Sequence, residues 1–241
     1  KSLRDVGGSF LSARLLNINR ELAPNSSQSD SDKYQVFKLK YYYNKPDIIK
    51  GLKYSFETEL ASNYTKATGE LRYRKLTAKN TQLDFRFYAG TFIKNNTDSD
   101  FFSFGLDRAN DYLFELNYIG RSESSGFLSQ QFIMAEGGFK SGMSQRFANQ
   151  HLVSFNSSIG IWKWLEIYNG LAFVKNRGLN PFIGYESGIR LNFIHNIFEF
   201  YLPVYSTNGW EINKKAYPKS IRFVLVAKTR AIFNFFRRGF I

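Results

Sequence analysis

Leu52-Lys53-Tyr54-Ser55-Phe56-Glu57-Thr58-Glu59-Leu60 changes chemistry almost at every step. An extended chain turns successive side chains to opposite faces. Leu52, Tyr54, Phe56 and Leu60 therefore share one face, and Lys53, Ser55, Glu57 and Glu59 share the other. Helical spacing would mix the two sets, so the stretch reads as a strand. Upstream, Phe37, Leu39, Tyr41 and Tyr43 oppose Lys38 and Lys40, and downstream Phe85, Phe87, Ala89 and Ile93 oppose Asp84, Arg86 and Tyr88. The second half repeats the pattern. Val153, Phe155, Ile159 and Ile161 oppose Ser154, Asn156, Ser158 and Gly160, while Ile183, Tyr185, Ile189, Leu191 and Phe193 oppose Glu186, Gly188, Arg190 and Asn192. Phe198, Phe200, Leu202 and Val204 oppose Glu199 and Tyr201, and Ile221, Phe223, Leu225 and Ala227 oppose Arg222 and Lys228.

Polar breaks separate these runs at 23–32, 44–47, 95–100, 121–126, 176–181 and 207–218. Such Asn-, Asp-, Ser-, Gly- and Pro-rich segments are turns and loops. About twelve strands follow from the count, or ten if Leu106 to Gly120 is a loop with a short strand. Their length is nearer ten residues than the five or six of soluble sheets. No internal domain boundary is visible in residues 1–228. The tail 229–241 mixes Ile232, Phe233, Phe235, Phe236 and Phe240 with Arg230, Arg237 and Arg238. It reads as an amphipathic interfacial helix, or alternatively as a last strand with a frayed end.

The composition suits a sheet that is apolar on one side. Aromatic residues make up 18% of the chain and hydrophobic residues only 43%, with a mean hydropathy of -0.35. No window is apolar for the roughly 18 residues that a transmembrane helix needs, so any membrane crossing is by strands, which must close into a barrel. Alternation alone leaves the interior undecided, because a soluble ligand-binding barrel buries its apolar face. Three features favour the inverted arrangement. The strands outnumber the eight or so of a small soluble barrel. Trp162, Trp164 and Tyr168 gather near a strand end like an aromatic girdle. The polar faces carry both signs of charge: Glu57, Glu59, Arg72, Arg74, Asp84 and Arg86 in one half, Glu186, Arg190, Glu199 and Arg222 in the other. Such groups can pair across strands inside a lumen. The residues expected to meet lipid are Phe37, Leu39, Phe56, Phe85, Phe87, Phe155, Ile159, Phe200 and Phe223.

Signals for catalysis are thin. Histidine occurs only at 151 and 195, in no metal-binding spacing, and cysteine is absent. No Gly-x-Ser-x-Gly turn or phosphate-cradling glycine loop occurs, and Gly137-Gly138 reads as a bulge or turn. Glu57 and Glu59 read as lumen ion-pairing groups rather than a catalytic carboxylate pair. No catalytic residue, metal ligand or cofactor is expected in this segment. The net charge of +13 suits phosphate-rich partners, whether lipid headgroups or nucleic acid. Leu71-Arg72-Tyr73-Arg74-Lys75 has the make-up of a single-strand platform, but the aromatic excess runs along nearly every strand, so no nucleic-acid partner is expected. The chain lacks an initiator Met and a leader, so it reads as beginning mid-protein or as a processed product.

Several stretches resemble a known family. They are Phe85-Arg86-Phe87-Tyr88-Ala89-Gly90-Thr91-Phe92; Gly105-Leu106-Asp107-Arg108 with Asp111-Tyr112-Leu113-Phe114; Gly120-Arg121-Ser122-Glu123 leading to Phe127-Leu128-Ser129-Gln130-Gln131-Phe132; Ala135-Glu136-Gly137-Gly138-Phe139-Lys140; and Phe200-Tyr201-Leu202-Pro203-Val204-Tyr205-Ser206 with Gly209-Trp210-Glu211-Ile212. Together they resemble the C-terminal, surface-antigen-like barrel of gluzincin-type zinc aminopeptidases from Bacteroidota. The resemblance implies a non-catalytic antiparallel transmembrane β-barrel in the cell outer membrane, anchoring a metallopeptidase domain that lies upstream. It places the zinc ligands in that upstream domain and none here, and it implies further barrel strands before Lys1. The implied partners are outer-membrane lipids and the peptidase domain of the same polypeptide. Two other readings stand beside it: a standalone porin or subunit of an outer-membrane complex, and a soluble basic nucleic-acid-binding β module.

Overall fold

Alternating rings and charges form long antiparallel strands in the computed structural model, which describes residues 7–19, 33–47, 49–77, 81–97, 100–116, 126–194 and 197–225. The strands are β1 (Gly8–Asn19), β2 (Lys33–Lys45), β3 (Lys50–Ala61), β4 (Tyr64–Leu76) and β5 (Gln82–Asn95), then the two-residue β6 (Phe104–Gly105) and β7 (Phe147–Ala148). They continue as β8 (His151–Gly160), β9 (Leu165–Lys175), β10 (Phe182–Ile194), β11 (Phe198–Ser206), β12 (Gly209–Trp210) and β13 (Arg222–Leu225). A single helical turn, α1 (Tyr217–Ser220), precedes β13.

Eleven of these strands make one antiparallel sheet in the order β1-β2-β3-β4-β5-β8-β9-β10-β11-β12, with β13 also pairing with β11. The long members run 9 to 14 residues, which is the expected length. Among the described residues β1 pairs only with β2, and the far edge of β13 is met by Gln131. Connections at one end span 46–49, 77–81, 161–164 and 195–197, whereas the other end holds 20–32, 62–63, 96–150 and 176–181. The tail expected at 229–241 lies outside the described residues.

Residues 96–150 depart most from the expected pattern. Beyond β6 and β7 they contribute no strand of their own among the described residues. They fold instead across one face of the sheet. Phe102, Phe104, Leu106, Tyr112 and Phe139 of this insertion pack with Val36, Tyr64, Phe92, Leu152 and Val174 of the sheet. Further along, Phe132 packs on Tyr168 and Tyr201. The backbone is threaded tightly here. A Cβ at Gly105 would stand 1.9 Å from the Arg108 carbonyl oxygen, and Gly138 adopts φ 74° with the Asn156 side chain 2.7 Å from where its Cβ would be. A β-carbon is therefore excluded by backbone at Gly105 and strained by the left-handed conformation at Gly138. The Gly137-Gly138 pair is thus a docking point rather than a strand bulge: the Asn156 amide donates to the Gly137 carbonyl at 3.0 Å.

The two faces of the sheet are chemically opposite. The face covered by the insertion carries the charges together with the apolar cluster that meets the insertion, and the open face carries rings and branched aliphatics. Cross-strand pairs keep each set together, with Tyr41 beside Phe56, Phe37 beside Leu60 and Phe87 beside Phe155.

Candidate functional site

A carboxylate or ammonium removed from water costs several kcal/mol unless it is paired and hydrogen-bonded. The covered face meets that condition in linked groups. Glu59, 1% exposed, lies 3.0 Å from the Lys66 ammonium. It accepts hydroxyl bonds from Tyr64 at 3.0 Å and Tyr112 at 2.7 Å. Glu57 bridges Lys38 and Lys40, each at 3.1 Å. Glu115 of the insertion reaches back to Lys38 at 3.1 Å and Arg14 at 2.5 Å.

The middle of the face is held by Arg86. It donates to Glu70 at 3.2 Å, Asn156 at 3.0 Å and the Glu136 carbonyl at 2.7 Å. Arg190 is clamped between Glu166 at 3.0 Å and Glu199 at 2.6 Å, and the Tyr201 hydroxyl donates to Glu199 at 2.7 Å. Glu186 accepts backbone N–H bonds from Lys140 at 2.9 Å and Ser141 at 2.7 Å. The Lys140 ammonium stands 3.6 Å from the same carboxylate. It also lies 5.0 to 5.5 Å from the ring centres of Phe132, Tyr168 and Tyr201, an aromatic enclosure of the kind that attracts a cation. Burial pushes the Lys140 ammonium below the ordinary lysine range. Burial likewise holds the Glu136 carboxyl above the usual carboxylate value, against the pull of Lys66 and the Gly105 N–H.

Of the ten charged residues expected on this face, Glu57, Glu59, Arg86, Glu186, Arg190 and Glu199 join these groups. Arg72 pairs with Glu70 but is exposed. Arg74 has no carboxylate partner among the described residues and donates to the Asp47 carbonyl at 3.4 Å. Asp84 accepts from Gln82 and stands 4.0 Å from Arg190. Arg222 donates to the Lys140 carbonyl at 3.3 Å rather than to a carboxylate.

On the open face Phe37, Leu39, Phe56, Phe87, Phe155 and Ile159 are all exposed, Phe56 to 61%. Phe85 and Phe200 are partly covered by neighbouring rings. Two placements correct the expectation. Tyr168 is 2% exposed. It follows Glu166 at strand spacing, so it turns to the covered face and belongs to the Lys140 enclosure, not to a girdle. Phe223 is buried because Phe127 stacks on it at 4.5 Å and 8°. Trp162 and Trp164 do lie exposed in the turn between β8 and β9, with Trp164 stacked on Phe193 at 5.8 Å.

Lys38, Lys66, Glu70 and Glu166 join the network without being among the expected ten; they share the parity of the charged face, which is the signal that finds them. No such signal finds Glu115, Glu136 and Lys140, because the insertion has no strand period to place them. His151 is exposed beside Thr91, whose hydroxyl is 2.9 Å from Nδ1, and His195 lies outside the described residues. Among the described residues no three acidic or histidine side chains gather to hold a metal, and no helix is long and apolar enough to cross a membrane. Comparison with protein-family models, characterised proteins and solved structures finds no match to this chain.

Proposed function

We propose that this chain is the wall of a β-barrel in the outer membrane of a Gram-negative bacterium, and that it anchors a metallopeptidase domain lying upstream in the same polypeptide. One observation supports the membrane part: the open face of the sheet exposes large apolar side chains along nearly every long strand, while the covered face holds the buried ion pairs beside its apolar contact with the insertion. Soluble monomers rarely expose contiguous apolar patches beyond a few hundred Å². Lipid-facing barrel walls do so as a rule, over strands of about ten residues. Every connection at one end is short and the longest two, 20–32 and 96–150, lie at the other, in keeping with the usual asymmetry of periplasmic turns and outer loops. The anchoring role rests on the resemblance of the motifs quoted above. Catalysis and zinc belong to the upstream domain in this reading, and the edge of β1 that has no partner among the described residues meets further strands or a partner.

An open pore is disfavoured by the insertion, which occupies the face that would line a channel. The test is fractionation of cells producing the full-length parent, with and without this segment. Peptidase activity should sediment with the outer membrane only when the segment is present. Equal distribution of the two forms would refute the anchoring role.

A further inference from the structure

The open face changes chemistry in a fixed order towards the end with the short connections. On β2 it runs Leu39, Tyr41, Tyr43 and then Lys45; on β3, Phe56, Tyr54, Leu52 and then Lys50; on β4, Leu71, Tyr73 and then Lys75. Tyr43 stacks on Tyr54 at 4.8 Å. In the turn between β8 and β9 an exposed Lys163 likewise stands between the exposed Trp162 and Trp164. At the other end of the same face Tyr205 lies 5.6 Å from Tyr185 and 5.0 Å from Trp210.

Lys45, Lys50 and Lys75 are all exposed and sit on three adjacent strands. Lys50 and Lys75 are direct cross-strand partners, and Lys45 faces Leu52, one pleat away from Lys50. Like charges directly opposite one another destabilise a sheet. None of the three forms an ion pair among the described residues. Asp47, in the turn between β2 and β3, accepts the Ile49 N–H at 3.0 Å instead.

We propose that Lys45, Lys50 and Lys75 form a headgroup site for anionic phospholipid, at the level where this end of the sheet leaves the hydrocarbon. The inference rests on the membrane reading above. A phospholipid presents the matching order, from acyl chain through the ester layer, which tyrosine and tryptophan favour, to the phosphate. A lysine on the lipid face is costly at mid-depth but not near the interface, where its long stem lifts the ammonium into the headgroups. From Lys50 to Leu60 the strand covers about 33 Å. At a tilt of about 40° that is about 25 Å of bilayer, the height of the apolar band of outer-membrane barrels.

The test is urea titration of the chain folded into vesicles of phosphatidylcholine, with or without phosphatidylglycerol, followed by gel mobility. Each lysine near an anionic surface is worth about fivefold. Phosphatidylglycerol should therefore raise the folded-to-unfolded ratio of the wild type by about a hundredfold, and added salt should reduce that gain. Lys45→Gln/Lys50→Gln/Lys75→Gln should lose most of the gain, yet match or exceed the wild type in phosphatidylcholine alone, where a like-charge contact is relieved. Removing three exposed lysines elsewhere, Lys33→Gln/Lys94→Gln/Lys215→Gln, should leave the gain in place. No gain in the wild type, an undiminished gain in the first triple variant, or an equal loss in the second would overturn the proposal and leave the membrane reading standing. A wild-type chain that inserts into neither kind of vesicle would overturn both.

Discussion

Replacing Glu186 by Leu should be among the most damaging single changes in this chain, and adding Lys140→Met should partly repair it. Glu186 is 1% exposed and has three tasks at once. It accepts the backbone N–H groups of Lys140 and Ser141 at 2.9 and 2.7 Å, and it balances the Lys140 ammonium at 3.6 Å. Removing one partner of a buried pair costs about 3–5 kcal/mol, and each orphaned backbone N–H about 1–3 kcal/mol. The terms overlap, because the ammonium, already pushed below its ordinary range, can shed its proton. A loss of about 5 kcal/mol is expected for Glu186→Leu. In the double variant the two N–H groups are orphaned, as is the Gly138 carbonyl, to which the Lys140 ammonium donates at 2.6 Å, but no buried charge is left unpaired, so its loss should be smaller, about 4 kcal/mol. Urea unfolding followed by tryptophan emission, run as a double-mutant cycle, measures both. A loss below about 1 kcal/mol for Glu186→Leu, or additive losses in the cycle, would refute the assignment of this pair.

Other consequences can be checked on the same preparation. Glu136 binds its proton more tightly in the folded state, so its contribution is complete below the unfolded carboxylate pKa and is lost as pH rises through the raised folded value. Glu136→Gln should remove that decline, which is at most about 1.4 kcal/mol per pH unit; parallel stability profiles of the two proteins would contradict it. Gly138→Ala should cost about 3 kcal/mol, from the left-handed backbone and the contact with Asn156, and should loosen the insertion before the sheet in hydrogen exchange. Tyr112→Phe removes the hydroxyl that donates to Glu59 and accepts from Lys66. A loss of about 2 kcal/mol in urea unfolding is expected.

The strands were legible because each writes ring and charge at a period of two, and pairs such as Phe37 with Leu60 then fix the register. Parity also puts charged partners on one face: Lys66 falls on the same face as Glu59 and directly opposite it. Tyr168 lies close to Trp162 and Trp164 in sequence, but its parity with Glu166 turns it inward. Of the insertion, the sequence shows irregular backbone over Leu106 to Gly120 but not the docking of the whole segment on the sheet. Its side chains are placed by irregular backbone, with Gly105 and Gly138 permitting close approach, and a pattern that lacks a period does not reveal which face it will cover. Glu136 and Lys140 therefore became part of the buried network only through the tertiary fold.

The central claim is that the open face meets lipid, and Phe56 tests it most directly. It sits midway along β3, is 61% exposed, and neighbours Glu57 on the opposite face. Phe56→Arg and Glu57→Gln are to be compared for folding into lipid vesicles by heat-modifiable gel mobility. An arginine near the midplane of the lipid face costs about 2–4 kcal/mol, so Phe56→Arg should block or strongly slow insertion, while Glu57→Gln, which weakens pairs at the rim of the network, should insert. A wild-type chain that stays folded and monomeric without detergent or lipid, or a Phe56→Arg variant that inserts as the wild type does, would contradict the account.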